Sequence, residues 1–379
     1  MGFSYWEQDT FIGTPDVCII GSGIVGLNAA ISMKSKAPFL KILILERGFL
    51  PSGASTRNAG FACFGSISEL LMDLRTQSEA TVFSLVEKRW KGLMRMREIL
   101  GDDIIQYESA GGYEVFTSKD EERYQECESK IDYFNKMLRD ICAEPRMYLK
   151  ADKNIERFGF NGVKHMIVNI GEGQLDTGKM MEALINKADS LGIQRLNGIN
   201  IENYRAENNL VRLKINGDDS ILCKNLLIAT NGFATELLSG IDVEPARAQV
   251  LMTEELEHAP FVGSFHYDEG YYYFRNVGKR ILLGGGRNTD FIKEKTSKME
   301  LNSAIQSTLD ELLYTMILPG RKPKVEYRWS GIMGLGSSKK SIIEKIEPSV
   351  WCAVRLGGMG VAIGNLIAEE VADMILKEI

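Results

Sequence analysis

At 379 residues, with 44% apolar and 25% charged side chains, the chain has the composition of a soluble globular enzyme and the length of two or three domains. Its formal net charge of −6 gives no basis for a nucleic-acid or acidic-membrane partner. No run of about 18 apolar residues offers a membrane span, and no basic-then-apolar leader is visible, so the cytoplasm is the expected compartment.

Val17-Cys18-Ile19-Ile20 reads as a strand and runs into Gly21-Ser22-Gly23-Ile24-Val25-Gly26, followed by an apolar stretch over 27–33. A second apolar run over 42–45 ends on Glu46. Strand, glycine turn, helix, strand and acid together form a dinucleotide-binding fingerprint. Gly21 permits the turn, Gly23 lets the backbone approach a pyrophosphate, and Gly26 lets helix and strand pack closely. The helix N-terminus presents amide N–H groups and the positive end of its dipole to phosphate. Glu46, at the tip of the second strand, is placed to hydrogen-bond a ribose diol.

The next segment, Gly53-Ala54-Ser55-Thr56-Arg57-Asn58-Ala59-Gly60, is small and polar, suited to closing around a flat ligand. Apolar spacing predicts a helix over about 68–100, a strand over 112–117 and a charged helix over 119–141. A helix over 180–191 ends at Gly192. Strands follow over 198–204, 210–215 and 221–228, the last entering the turn Ala229-Thr230-Asn231-Gly232. Residues 245–286 read mostly as β, including Tyr271-Tyr272-Tyr273-Phe274-Arg275, and 300–317 as helix. A strand over 350–354, the loop Arg355-Leu356-Gly357-Gly358-Met359-Gly360 and a helix from Val361 close the chain.

Three histidines far apart in sequence and six cysteines without a CxxC pair argue against a metal site or a disulfide framework. No GxSxG motif is present, so any chemistry here falls to a cofactor.

The glycine fingerprint, Leu45-Glu46-Arg47-Gly48, the 53–60 loop, the Ala229–Gly232 turn and the closing Gly357-Gly358-Met359-Gly360-Val361-Ala362 occur in one order. That order resembles the D-amino acid oxidase superfamily, in its glycine oxidase, sarcosine oxidase and gamma-glutamylputrescine oxidoreductase branch. The similarity covers essentially the whole chain, and Ser4-Tyr5-Trp6 resembles the lead-in of the putrescine-pathway members. The resemblance implies an α/β fold: a Rossmann-type FAD-binding domain (1–62, 170–247 and 326–379) with an inserted α+β substrate domain (63–169 and 248–325) built on a mixed or antiparallel sheet. It implies FAD, held non-covalently, because the cysteine that carries flavin in sarcosine oxidase has no counterpart near 334–338. Gly21 to Gly26 would hold the pyrophosphate, Glu46 and Arg47 the ribose end, and Ile201 the adenine. Ser55, Thr56, Asn58, Ala59, Gly60 and Phe61 would line the ribityl chain and flavin. Ala229, Thr230 and Asn231 would lie by the pyrophosphate, and Gly331, Gly358, Met359, Gly360, Val361 and Ala362 by the ring.

The implied reaction is oxidation of an amine or amino acid C–N bond by hydride transfer to flavin N5, with hydrolysis of the imine. Substrate-pocket candidates are Tyr272, Arg275, Arg57 and Met359. Strand alternation puts Tyr271 and Tyr273 on one face and Tyr272 and Phe274 on the other, with Tyr272 the expected pocket residue. Arg275 and Arg287 are candidates for pairing with a carboxylate. Two departures weigh against a simple α-amino acid substrate. The family's carboxylate-binding arginine after Ser330-Gly331-Ile332 is replaced by Met333, and a second falls near Gly358 or Met359. The lysine tied to oxygen reactivity in sarcosine oxidase is matched by Leu282, which leaves the electron acceptor open between oxygen and another species. Two alternatives stand beside this reading: an FAD-dependent 2-hydroxy-acid dehydrogenase, which would need a histidine base by the flavin, and a flavin-binding subunit or redox sensor that needs a partner. For the first, none of the three histidines is obviously placed.

Overall fold

A computed structural model describes residues 3–217 and 219–379; residues 1, 2 and 218 of the expected FAD-binding segments lie outside that description. The fingerprint strand Val17–Ile20 sits inside a six-stranded sheet, paired in parallel with Ile42–Glu46 on one side and Asn225–Ile228 on the other. Gln194–Asn197 and Val350–Val354 extend the parallel set, and Ile342–Glu347 adds an antiparallel edge. Every residue of Val17–Ile20, Ile42–Glu46 and Val350–Val354 is buried, as continuous apolar runs require when both faces of a parallel sheet are covered. Helices Ile24–Lys36, Thr177–Ser190 and Gly360–Leu376 cover one face, and an antiparallel three-stranded sheet over 201–223 covers the other.

The second large sheet has eight strands, antiparallel except where Ser264–Tyr267 runs parallel to Gly112–Thr117. It also takes Glu244–Thr253 and Val325–Leu335, which straddle the boundaries drawn from the sequence. One face packs Phe265, Phe274, Leu283 and Leu251 against helix Ser303–Leu312. The other face looks toward the six-stranded sheet and carries the row Glu114–His266–Tyr273–Gly284–Val250–Trp329, each residue directly opposite the next.

Several expected elements are subdivided. The helix expected over 68–100 is two, Ile67–Thr76 and Glu79–Leu100, because Ser78 caps the second by accepting from the Thr81 amide at 3.3 Å. The charged helix over 119–141 breaks at Lys130 into Glu121–Ser129 and Ile131–Cys142. The run over 221–228 is two strands, Asp219–Cys223 and Asn225–Ile228, in different sheets. Among the described residues, no helix is long and apolar enough to cross a membrane.

Candidate active site

A cavity of about 620 Å³ runs between the two large sheets, within the ~300–1,000 Å³ of small-molecule and cofactor sites. One part of its wall is the glycine fingerprint. A Cβ on Gly21 would come 2.9 Å from the Ala229 carbonyl oxygen, and one on Gly23 2.8 Å from Ser55 Oγ. A Cβ on Gly26 would collide with the Gly21 carbonyl, so the turn and its helix depend on glycine there. The Ile24 amide donates to Ser55 Oγ at 2.9 Å, tying the helix N-terminus to the 53–60 loop.

Glu46 is buried and fully engaged. Its Oε2 accepts from the Ser22 amide (3.1 Å) and hydroxyl (2.7 Å), and its Oε1 from the Gly48 amide (2.9 Å). Arg47 pairs with Glu236 and stacks over Phe233, 4.1 Å from the ring centroid. Ile199 to Ile201 complete the wall beside them. Asn231, at φ +48, accepts from the Leu356 amide at 3.2 Å and fastens the second turn to the closing glycine loop. Gly360 and Val361 bring the N-terminus of the last helix to the cavity, where its dipole favours negative charge. These surfaces fit an extended dinucleotide: glycine backbone at the centre, an acid at one end and a helix N-terminus at the other.

Of the cofactor residues expected from the sequence, Gly21, Gly23, Ile24, Val25, Glu46, Arg47, Ser55, Asn58, Ala59, Phe61, Ile201, Ala229, Thr230, Asn231, Gly331, Gly358, Met359, Gly360 and Val361 line the cavity. Five stand behind it. Ser22 holds Glu46, and Gly26 packs on Gly21. Thr56 donates to the Pro51 carbonyl, and the Gly60 carbonyl accepts from the Leu175 amide. The Ala362 carbonyl abuts Gly92 of the neighbouring helix.

The pocket candidates separate. Arg57 lines the cavity but spends two nitrogens on the Ser52 and Ser330 carbonyls, both at 2.9 Å, clamping its loop to strand Val325–Leu335. Tyr272 points away from the cavity, into the apolar core behind the sheet. Tyr271 and Tyr273 line the cavity in its place. Burial pushes the Tyr273 phenol up to about 12, so it stays neutral. Arg275 shares the face of Tyr273 but lies beyond the cavity, donating to the Leu175 carbonyl at 2.9 Å. Burial pulls its guanidinium down to about 10, still charged at neutral pH. Arg355 is bound to Asp242 and the Lys340 carbonyl, outside the cavity. Leu282 packs with Ala59 and Val250. Cys63 Sγ sits 3.6 Å from Met359 Sδ, its thiol pushed up by burial.

Among the described lysines and arginines of the wall, Arg287 alone makes neither a hydrogen bond nor an ion pair; it stacks on Phe291 at 4.7 Å. Burial lowers its pKa. Sequence reasoning missed His266, Glu69, Asp73, Arg89 and Lys339, which close the far end. Lys339 bridges Glu69 (3.1 Å) and Asp73 (2.8 Å). His266 was visible only as a polar residue within the short strand Ser264–Tyr267, and its neighbours come from four other segments.

A model of the family described as DAO, FAD dependent oxidoreductase, matches residues 16–374. The chain is 22% identical over 399 residues to the probable oxidoreductase OrdL of Haemophilus influenzae, covering 97% of this chain and 84% of that protein. Among solved structures it is similar to glycine oxidase from Bacillus cereus (TM-score 0.77, 18% identity, 96% of this chain and 98% of that one). It is also similar to L-proline dehydrogenase from P. horikoshii (TM-score 0.76, 16% identity, 97% and 95%).

Proposed function

The chain belongs to the DAO family of FAD-dependent oxidoreductases, and from that premise we propose that it oxidises the C–N bond of a small amine or amino acid, with FAD held non-covalently. Gly21 to Ile24, Glu46, Ser55, Asn231 and the first turn of the last helix are the residues we assign to the cofactor. When bound, FAD supplies a two-electron acceptor for hydride at N5. This chain's contribution is to hold the substrate amine neutral and in place. Phe61, Tyr273 and Met359 form an apolar, aromatic wall that disfavours the ammonium form. Arg287, a half-buried guanidinium without a polar partner, is the group we assign to a substrate carboxylate.

The observation that carries this reading is the single cavity joining the glycine cradle to the Tyr273–Arg287 end. The test is anaerobic bleaching of the yellow protein by a panel of amines, amino acids and hydroxy acids, followed by admission of air. Bleaching by amines or amino acids is expected, with slow recolouring because Leu282 occupies the oxygen-reactive lysine's position. Bleaching by hydroxy acids alone would overturn the amine reading. That second reading, 2-hydroxy-acid oxidation, draws support from His266, a histidine in the cavity wall. Acid precipitation should release all flavin into the supernatant if no covalent link exists.

A further inference from the structure

The strand Ser264–Tyr267 delivers His266 to the cavity wall with its two ring nitrogens in different surroundings. Nε2 is buried without a hydrogen bond, 3.7 Å from Glu172 Oε2, which is also buried and unpartnered. Nδ1, by contrast, makes no hydrogen bond and is not sealed from solvent, and His266 lines the cavity. Glu172 is fixed from behind: its Oε1 accepts from the amides of Phe64 (2.9 Å) and Gly65 (3.0 Å). Gly112 makes room for that carboxylate, since a Cβ there would collide with it. The ring of Phe61 meets the imidazole edge-on at 5.2 Å and sets its plane.

The charges around His266 come from every element packed on it. Glu114 lies opposite on the adjacent strand, its pKa raised by burial. Burial alone would also raise Glu69, but Lys339 and Arg89 outweigh it and keep that carboxyl below the ordinary range. Asp73 is paired with Lys339. The acids of this cluster are thus Glu69, Asp73, Glu114 and Glu172, and its permanent cations are Arg89 and Lys339. Burial pulls the imidazole down, yet Glu172, Glu69 and Glu114 together raise its pKa above the ordinary histidine value.

We propose that His266, oriented by Glu172, is the proton acceptor of this cavity, taking a proton from the substrate's ammonium group as it binds. This rests on the amine reading given above. The bond broken is one substrate N–H; the bond formed is Nδ1–H of His266. The imidazole becomes an imidazolium, and the substrate nitrogen keeps the lone pair that C–N oxidation draws on. The positive charge never leaves the cluster. A cationic substrate brings its charge to a wall rich in carboxyl groups, and proton transfer moves that charge onto the imidazole beside Glu172. His266 is thus a catalytic residue and Glu172 a positioning residue.

The test uses FAD-loaded protein and an amine that bleaches it. In the wild type, kcat/KM should rise with pH through a midpoint above about 6.5, the ordinary imidazole value. His266→Gln should lower neutral-pH kcat/KM on the order of 100-fold and remove that limb. Glu172→Gln should keep the limb but move it to lower pH. Carbon-13 NMR of ring-labelled histidine gives a readout independent of turnover, because only three histidines are present. The His266 resonance should titrate above about 6.5 and shift downward in Glu172→Gln. A His266→Gln enzyme with wild-type kcat/KM and pH profile overturns the proposal, as does a His266 resonance unmoved by Glu172→Gln. A protein that no amine bleaches instead sinks the amine reading, and this role with it.

Discussion

The two ends of the cavity are built on opposite principles. At the glycine-fingerprint end the charged and hydroxyl groups named above are engaged: Glu46 accepts three hydrogen bonds, Arg47 pairs with Glu236, and Ser55 Oγ accepts from the Ile24 amide. At the other end Lys339 is paired with Glu69 and Asp73, but three groups are left open: Arg287 has no acid, and His266 Nε2 and Glu172 Oε2 have no hydrogen bond. A satisfied site is a rigid mould, suited to a resident ligand that stays. An unsatisfied one holds interaction energy in reserve for a ligand that arrives and leaves.

The sharpest way to break this contrast is at the mould. Gly26→Val pushes a branched side chain into the Gly21 carbonyl, and purified protein should carry no flavin absorbance; a yellow, soluble variant would refute the assigned turn geometry. Next in size is the pair Tyr272→Ala and Tyr273→Ala. Tyr272 is core, so its loss should cost about 3–5 kcal/mol of stability, read as a lowered denaturation midpoint, with substrate affinity intact in whatever folds. Tyr273→Ala should do the reverse, weakening substrate binding more than folding. Glu46→Ala removes a charge-assisted network of about 1.5–3 kcal/mol, so FAD affinity should fall roughly 10- to 100-fold by equilibrium titration. Arg287→Met should raise KM for amino acids about tenfold, the lower part of that same range, while leaving an uncharged-tail amine unchanged. Equal effects on both substrates would remove Arg287 from carboxylate recognition.

The smallest effect concerns the fold beneath the pocket. The buried pair Arg247–Glu294, at 2.7 Å, supports strand Glu244–Thr253. Burial alone would raise the Glu294 carboxyl, but hydrogen bonds from Arg247, Gln249 and Asn302 hold it below the ordinary carboxylate value. A depressed carboxylate stabilises the folded state fully above its unfolded pKa, about 4.3, and less as pH falls through the folded value. Urea midpoints should therefore drop between pH 6 and pH 3, and Glu294→Gln should flatten part of that drop.

The same contrast governs what could be read from the chain. The nucleotide cradle is legible because its parts are contiguous: strand, turn, helix and acid lie within thirty residues of one another, and each obeys a local steric rule. The substrate end is assembled across strands. Glu114, His266 and Tyr273 are neighbours only through register, which single-strand alternation cannot supply. Alternation separates Tyr273 from Tyr272 and Phe274, yet it carries no information about which face meets the cavity, and Tyr271, just before the strand, touches both cavity and core. That choice is made by helix Ser303–Leu312, which claims the Phe274 side as core. The helix breaks at Ser78 and Lys130 were hidden because the apolar spacing continues across them.

The last helix, Gly360–Leu376, is wedged against Ile24–Lys36 and Glu79–Leu100, with Asn365 donating to Asn28 Oδ1 at 2.8 Å and Gly92 giving way to the Ala362 carbonyl. Its preceding strand, Val350–Val354, borders Asn225–Ile228. A chain still emerging from the ribosome therefore owns the opening glycine turn long before it owns the opposite wall. If the cradle is the coenzyme site proposed above, capture waits until both walls exist, and removing the turns of Gly360–Leu376 should yield protein without flavin absorbance.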